Sequence, residues 1–597
     1  TIADLLARHQ QPARIVGTPP TGGMSAGKNT YTYDAHTYHT KVPPQGIAEL
    51  LRHYLPEGGV VLDPFAGSGM TGVAARILGY DCILNELSPA ACFIADRFVA
   101  RIDPRVFATG VQTVLDELRE LRARLYTTTC RECGRRTEVL YTVWSYNVVC
   151  SRCNAHFLLW NHCRQYGSRV REHKILTEFP CPECHAPLQK SRLKRTLAEP
   201  VQLGYVCCGS RQQETVHPLN REDLQLLYAL EVAAPCADGF YPTVPLPDGV
   251  NLSQPKRHGI DRVDRFYTPR NLAAMSSLWR VIHRVESTEL AAYLAFAFTS
   301  LYQRVTRLSE FRFWGGSGNT ARFNVPFVFN EANVFITFER KARSIQDHLE
   351  TTAMEYNGKI TVTQGSATNL HQLPNDSIDL IFTDPPFGAN INYSEMNILW
   401  EAWLGEFTDT THEAIINRYQ QKGIDQYRSL MAQSLAECYR VLRPGHWLLL
   451  MFMNSSSKVW AALREAIVHA GFQIRQVDLF DKQHGTFKHF VSDNTAGYDL
   501  VLHCWKPPTK ELSASPPLFT SDIGESVHSF LRQKNLQAYK TVFLHVGREA
   551  EVDARRLYSE WLADTVRLGH STIDFADFRR LVDEWVDRRD SSNRTLP

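Results

Sequence analysis

A doubly wound α/β sheet, interrupted by a long insertion, is the fold this sequence predicts, and three observations carry it. The run Val60-Val61-Leu62 ends in Asp63-Pro64-Phe65-Ala66-Gly67-Ser68-Gly69, a short apolar strand entering a glycine-rich loop. A helix follows through Val73, Ala74, Ala75 and Leu78. Far downstream, a second apolar run from Ile378 to Phe382 breaks into Asp384-Pro385-Pro386-Phe387. Continuous rather than alternating apolar runs mark parallel strands covered on both faces. Between the two lie paired Cys-x-x-Cys spacings and helical periodicity, which belong to a separate unit inserted into the sheet.

At 597 residues the chain exceeds what one core can organise, so three or four domains are expected. Its 44% hydrophobic and 21% charged content is that of an ordinary globular protein. No apolar run reaches the ~18 residues of a membrane span, and the first residues lack a charged-then-apolar signal, so a cytoplasmic protein with no membrane partner is expected. A net charge of +2 excludes no partner, because nucleic-acid binding depends on local patches. The fourteen cysteines cluster in Cys-x-x-Cys pairs, which favours metal over disulfides.

In chain order, residues 1–30 read as a flexible arm rich in Pro, Gly and Thr. Within it Gly22 to Asn29 nearly spells a phosphate loop, but Asn29 stands where Ser or Thr must hold magnesium and no apolar strand precedes it. Residues 31–100 form the first part of the sheet, with a second strand over Asp81 to Leu87 and a helix over Pro89 to Val99. A helix from Val106 to Tyr126 then leads into the insertion, 101–220. Cys130-x-x-Cys133 and Cys150-x-x-Cys153, 16 residues apart, are expected to give the four thiolates of one tetrahedral zinc in a zinc ribbon. Cys181 and Cys184 with Cys207 and Cys208 make a second, less complete zinc site, with His185 or His217 as alternative fourth ligands. From Leu121 to Pro200 basic residues exceed acidic ones about two to one, most densely at Lys190, Arg192, Lys194 and Arg195. With Trp144, Tyr146, Trp160 and Tyr166 nearby, this is either a nucleic-acid surface or a solvated face.

Residues 221–355 read as a helical insertion, a candidate target-recognition unit. Thr268 caps a helix that opens on Pro269, and helices are expected over about 270–285 and 288–308. The aromatic, glycine-rich segment Arg312 to Asn324, with Arg312 and Arg322, reads as a loop that approaches nucleic acid, closes on the site or packs. The sheet resumes over 356–508 with strands at Lys359–Thr363, Ile378–Thr383, Trp447–Phe452, Phe472–Leu479 and Asp499–Trp505. Helices Tyr427–Leu442 and Val459–Ala470 supply crossovers, which makes a seven-stranded, Rossmann-like sheet. Residues 509–597 form a helical C-terminal extension.

The chemistry follows from the two loops. Gly67 and Gly69 let the backbone approach a ligand, and Glu86, about 20 residues on, suits ribose hydroxyls. Asp384 and the carbonyl of Pro385, with Phe387 beside them, suit a planar group carrying an amine, such as a nucleobase.

These two motifs resemble motifs I and IV of amino-group DNA methyltransferases, which use S-adenosylmethionine. His39-Thr40-Lys41-Val42-Pro43-Pro44 resembles motif X, Leu373 to Ile381 is the usual lead-in to motif IV, and Arg440 to Gly445 is similar to the turn before strand five. With the cysteine pairs, the Tyr-Thr-Pro-Arg stretch and Asn392-Tyr393-Ser394-Glu395, the whole is similar to the prokaryotic adenine-specific DNA methylases that contain a zinc ribbon. The resemblance implies catalysis by Asp384, Pro385, Pro386 and Phe387. It implies cofactor contacts from Lys41, Pro43, Asp63, Pro64, Phe65, Gly67, Gly69, Thr71, Glu86, Ser366 and Asp384. One departure is Gly365-Ser366, where the family commonly carries an acid after the third strand. The implied reaction is methylation of adenine N6 in a flipped base of double-stranded DNA, within a restriction-modification or phage-defence system with restriction or defence subunits as partners. Cytosine N4, RNA, or a silent DNA-binding subunit are the alternatives.

Overall fold

The structure, a computed structural model, describes residues 1–21, 24–25, 31–207, 214–232, 239–315, 323–352, 358–481, 498–508, 523–534, 540–541 and 551–593. Its main sheet contains seven strands of the expected kind: β1 (Val60–Asp63), β2 (Asp81–Glu86), β3 (Ile360–Gln364), β4 (Ile378–Thr383), β5 (Leu442–Phe452), β6 (Gln473–Asp481) and β7 (Asp499–Trp505). They are ordered β3-β2-β1-β4-β5-β7-β6, and all run parallel except β7, which is antiparallel to both neighbours. Met24–Ser25 adds a two-residue edge beyond β6, an eighth strand that the sequence did not announce. Every residue of β1 and β4 is buried, which is why both read as unbroken apolar runs.

β1 and β4 are neighbours, with Val61 opposite Leu380 and Leu62 opposite Ile381. The chain therefore reverses its winding direction between them, and the crevice beyond their carboxyl ends is the switch point where such sheets bind ligands. Asp379, fully buried in β4, accepts from the Val60 amide at 2.9 Å and from the Ala13 amide at 3.1 Å, and pairs with Arg443 at 3.0 Å.

That contact corrects the expected flexible arm. Residues 1–21 are laid against the sheet: a helix at Ile2–Ala7 buries Leu5, the Val16 amide bonds the Tyr54 carbonyl, and Trp447 Nε1 donates to the Val16 carbonyl. The near phosphate loop at 22–29 falls almost wholly outside the described residues.

The insertion is one interwoven unit rather than a zinc part followed by a helical part. Val328–Ala332, from the second half, pairs with Arg136–Val149, from the first, and Lys194–Val206 pairs on its other side. The Thr-Pro-Arg-Asn stretch welds them. Thr268 caps the helix Pro269–Ile282 as expected, Arg270 and Glu331 form a buried ion pair at 2.5 Å, and Asn271 donates to the Val305 and Ala332 carbonyls. The expected helix Val106–Tyr126 is broken at Leu118 into Pro104–Glu117 and Arg119–Leu125. The C-terminal helices Ile523–Arg532, Ala554–Leu568 and Phe575–Asn593 bury Leu531, Trp561 and Phe578 in the same core as Leu448, Phe452 and Trp460 of the sheet's second half.

Candidate active site

A single cleft of about 890 Å³, solvent at its mouth included, lies over the carboxyl ends of β1, β2 and β4. It is built from the glycine loop outward. Gly69 caps the helix Met70–Leu78 with φ +78°, and a Cβ there would sit 2.8 Å from Ala95 Cβ and 2.9 Å from Ala95 Cα, so the loop closes only with glycine. Gly67 has φ +51°, and an added Cβ would meet the Tyr38 ring at 3.3 Å across the cleft. Asp63 is buried and bonded by Thr71 Oγ1 at 2.5 Å, the Phe65 amide at 3.1 Å and Thr383 Oγ1 at 3.1 Å. It ties β1, its helix and β4 at one point. Burial pushes its carboxyl up to about 7 against those three donors.

Glu86 receives the Gly67 amide at 2.7 Å and the Leu87 and Ser88 amides at 2.9 and 3.0 Å. Its pKa is raised, because burial outweighs these bonds. Ser88 continues outward: its hydroxyl donates to Glu401 at 2.8 Å and accepts from Asn397 at 2.9 Å, whose oxygen meets His39 Nε2 at 3.0 Å. Burial drives His39 down to about 4, so the imidazole is neutral.

On the other wall, Asp384 and Pro386 face the cleft from the turn after β4. The turn is held from behind by Tyr427, whose hydroxyl donates to the Pro386 carbonyl at 3.1 Å, and by Asn454, whose Nδ2 donates to the Phe387 carbonyl at 2.8 Å. Glu413, buried, accepts from the Ser394 amide at 2.9 Å and its hydroxyl at 2.6 Å, and both residues line the cleft. Four carboxylates thus line it, from Asp63, Glu86, Asp384 and Glu413. The lysine of the wall, Lys41, spends its ammonium on the Tyr33 and His36 carbonyls, and burial lowers its pKa to about 7. The cleft is therefore electronegative and suited to a cationic ligand.

Of the residues expected in the site, Lys41, Asp63, Pro64, Phe65, Gly67, Thr71, Glu86, Ser366, Asp384 and Pro386 line the cleft. Gly69 and Pro43 act behind it, Gly69 as a helix cap and Pro43 at the start of the helix Pro44–Tyr54. Pro385 is buried and off the wall. Phe387, expected beside the planar group that Asp384 and Pro385 would receive, packs edge-on against Phe452 with ring centroids 5.1 Å apart and is 5% exposed. The aromatic rings that do face the cleft are Tyr38, Phe65, Phe382 and Tyr393. Sequence reasoning missed Tyr38, Ser88, Glu401 and Glu413. The quoted Asn392-Tyr393-Ser394-Glu395 stretch was the available signal for that wall, whereas the 405–423 loop carried none.

The cysteines converge, but not in the expected pairs. Cys150, Cys153, Cys181 and Cys184 bring their sulfurs within 4.8 Å of one another, and Cys130, Cys133 and Cys207 form a second group. Cys150 and Cys184 sulfurs are 3.9 Å apart, Cys153 and Cys181 3.7 Å, and Cys130 and Cys207 3.7 Å. Thiolates on one tetrahedral zinc, at Zn–S of ~2.3 Å, stand about 3.8 Å apart, so the donors fit the ion. Local spacing makes each Cys-x-x-Cys knuckle, but which knuckles share an ion is decided by the hairpins that carry them. Cys208 and Cys236 lie outside the described residues, His185 is exposed, and His217 packs against Tyr205 outside the converging group. Cys82, Cys92, Cys163, Cys438 and Cys504 are buried.

The basic run divides as well. Arg195 stacks on Phe327 at 3.6 Å and donates to the Val325 carbonyl at 2.6 Å, while Arg192 and Lys194 are exposed. Trp144, Tyr146 and Trp160 are each 4% exposed and serve the insertion's core, whereas Tyr166 is 57% exposed. Arg312 pairs with Glu310 at 3.6 Å, and Arg322 lies outside the described residues.

Residues 21–97 and 378–566 match the family model described as DNA methylase, two segments that carry every strand of the main sheet except β3. A stretch of 98 residues is 26% identical to the Type II methyltransferase M.MjaII of Methanocaldococcus jannaschii, covering 16% of this chain. That match spans 18% of the relative's own length.

Proposed function

Since two segments of this chain match the DNA methylase family model, we propose that it is a DNA methyltransferase of the N6/N4 family that transfers a methyl group from S-adenosylmethionine to an exocyclic amine of DNA, adenine N6 in a duplex. One observation carries the reading. The Asp384-Pro385-Pro386 turn and the Gly67 loop, distant in sequence, share one acidic cleft at the switch point.

S-adenosylmethionine supplies an electrophilic methyl group on a sulfonium when bound. The glycine loop and Glu86 would hold its adenosine, with Tyr38 and Ser366 on the same wall. Asp384 accepts hydrogen bonds from the base amine and draws its lone pair toward the methyl. Tyr427 and Asn454 fix the turn, so the acceptor is preorganised. A base stacked in a duplex cannot present its amine there and must be extruded. Among the described residues no cysteine lines the cleft, which fits direct transfer rather than a covalent adduct on carbon. Among the described residues no helix is long and apolar enough to cross a membrane. On the same reading we place the protein in the cytoplasm, in a restriction-modification or phage-defence system with restriction or defence subunits as partners.

The test is incubation with methyl-labelled cofactor and duplex DNA, followed by nucleoside analysis. N6-methyladenine is the expected product; N4-methylcytosine would keep the reaction and change the base, and no labelled nucleoside would reject the reading. Duplex binding is assigned to the insertion. Replacing Lys190, Arg192 and Lys194 with alanine should weaken DNA binding and lower its salt slope by about one unit per lost phosphate contact. Adding Arg195→Ala should disturb the fold as well, since that side chain is an internal clamp. Unchanged binding by the triple variant at every salt concentration would make this run a solvated face.

A further inference from the structure

The loop that walls the cleft at Glu413 and Ala414 runs on into a tight hairpin, Asn417 to Lys422. Asn417 and Lys422 bond each other through both backbone pairs, at 2.9 and 3.0 Å. Asn417 is buried, and its Nδ2 reaches Glu395 at 2.7 Å and Asn392 at 3.2 Å, residues that follow directly on the catalytic turn. The Ile416 amide bonds the Gly388 carbonyl at 3.2 Å, which docks the hairpin on the turn itself. Gln421 closes the tip at φ +55°, a left-handed conformation rarely adopted by a residue with a Cβ. This is a rigid projection beside the mouth of the site.

Its tip carries Arg418 and Tyr419, both exposed, with the guanidinium 4.9 Å from the phenol ring and bonded to its hydroxyl at 3.2 Å. Arg418 makes no ion pair among the described residues. A cation at the rim of a cleft lined by four carboxylates does not serve the cationic ligand inside. It suits a ligand that is anionic outside and presents an amine inside, which is the charge pattern of a nucleotide in a DNA strand. At the hairpin's base Gln420 Nε2 donates to Glu413 at 2.8 Å and Ser394 at 3.2 Å, which fixes the amide and leaves Oε1 buried without a hydrogen-bond partner.

We propose that the Asn417–Lys422 hairpin is the strand-contacting element of the active-site rim. Tyr419 stacks on a base exposed beside the extruded nucleotide, and Arg418 neutralises the adjoining phosphate. This rests on the methyltransferase reading above.

The test uses the full chain and native plasmid DNA. Tyr419→Ala should reduce methylation roughly tenfold or more, the scale of one lost base–aromatic stack, and Tyr419→Phe should restore it. Arg418→Ala should lower the salt slope of binding to a labelled mixed-sequence duplex by about one unit, and Arg418→Lys should return it. Thermal melting and calorimetric affinity for S-adenosylmethionine should match wild type in all four. Wild-type methylation by Tyr419→Ala with an unchanged slope for Arg418→Ala would overturn the hairpin's role and leave the enzyme reading standing. A wild-type protein that methylates no DNA would overturn both.

Discussion

Asp384→Ala is expected to abolish methyl transfer, by at least ~100-fold, the scale on which a preorganised group at a reacting centre is lost. Its affinity for S-adenosylmethionine should stay within a few-fold of wild type. The separation follows from the geometry: the glycine loop and Glu86, which would hold the adenosine, hang from β1 and β2, whereas Asp384 hangs from β4 and is braced by Tyr427 and Asn454. Asp384→Asn should fall between the two, because the amide keeps one acceptor oxygen and loses the charge. Label incorporation into DNA, read beside calorimetry of cofactor binding, checks all three forms. Near-normal turnover by Asp384→Ala would place the chemistry elsewhere.

The second large effect concerns zinc. The freshly purified protein should hold two ions, and the crossed pairing makes a counting experiment decisive. Cys150→Ser and Cys181→Ser should each leave one zinc, and their double variant should also leave one, since both cysteines belong to one tetrahedron. Cys130→Ser with Cys150→Ser should leave none. Pairing by sequence adjacency, Cys130 with Cys150, demands the opposite result for the two double variants. Each lost ion should unfold its module locally, because structural zinc contributes on the order of 10 kcal/mol to such units. Elemental analysis with limited proteolysis reads both outcomes.

Much of this was legible in the sequence because it is written locally. A strand that ends in a glycine loop with a carboxylate about 20 residues on, and a strand that ends in Asp-Pro-Pro, are each contained in one short segment. The parallel order of β3-β2-β1-β4 then follows from general rules of winding. What was not legible depends on partners remote in sequence. Phe387 is an aromatic at the right place, but Phe452 on β5 draws its ring into the core. Arg195 counted as basic charge until Phe327 and the Val325 carbonyl claimed it. Glu413 sits in a loop without periodicity, and only the fold brings it to Ser394. The arm at 1–21 carries only a short apolar pattern, at Ile2, Leu5 and Leu6, and beyond that helix it is fastened partly by backbone groups, at Ala13 and Val16.

The placement of β1 beside β4 also has a consequence for how the molecule is made. From residue 63 to residue 378 the ribosome must add 315 residues before β1 can meet its second neighbour. At about 5–20 residues per second this takes roughly 15–60 seconds, during which β1 can pair only with β2. Its other edge is then an open template for mispairing, a hazard that finished sheets avoid by covering such edges. Every strand and cysteine of the insertion emerges within that interval. The cysteine-rich unit is thus the first part of this chain able to reach its final form, and the sheet, begun earlier, is completed around it.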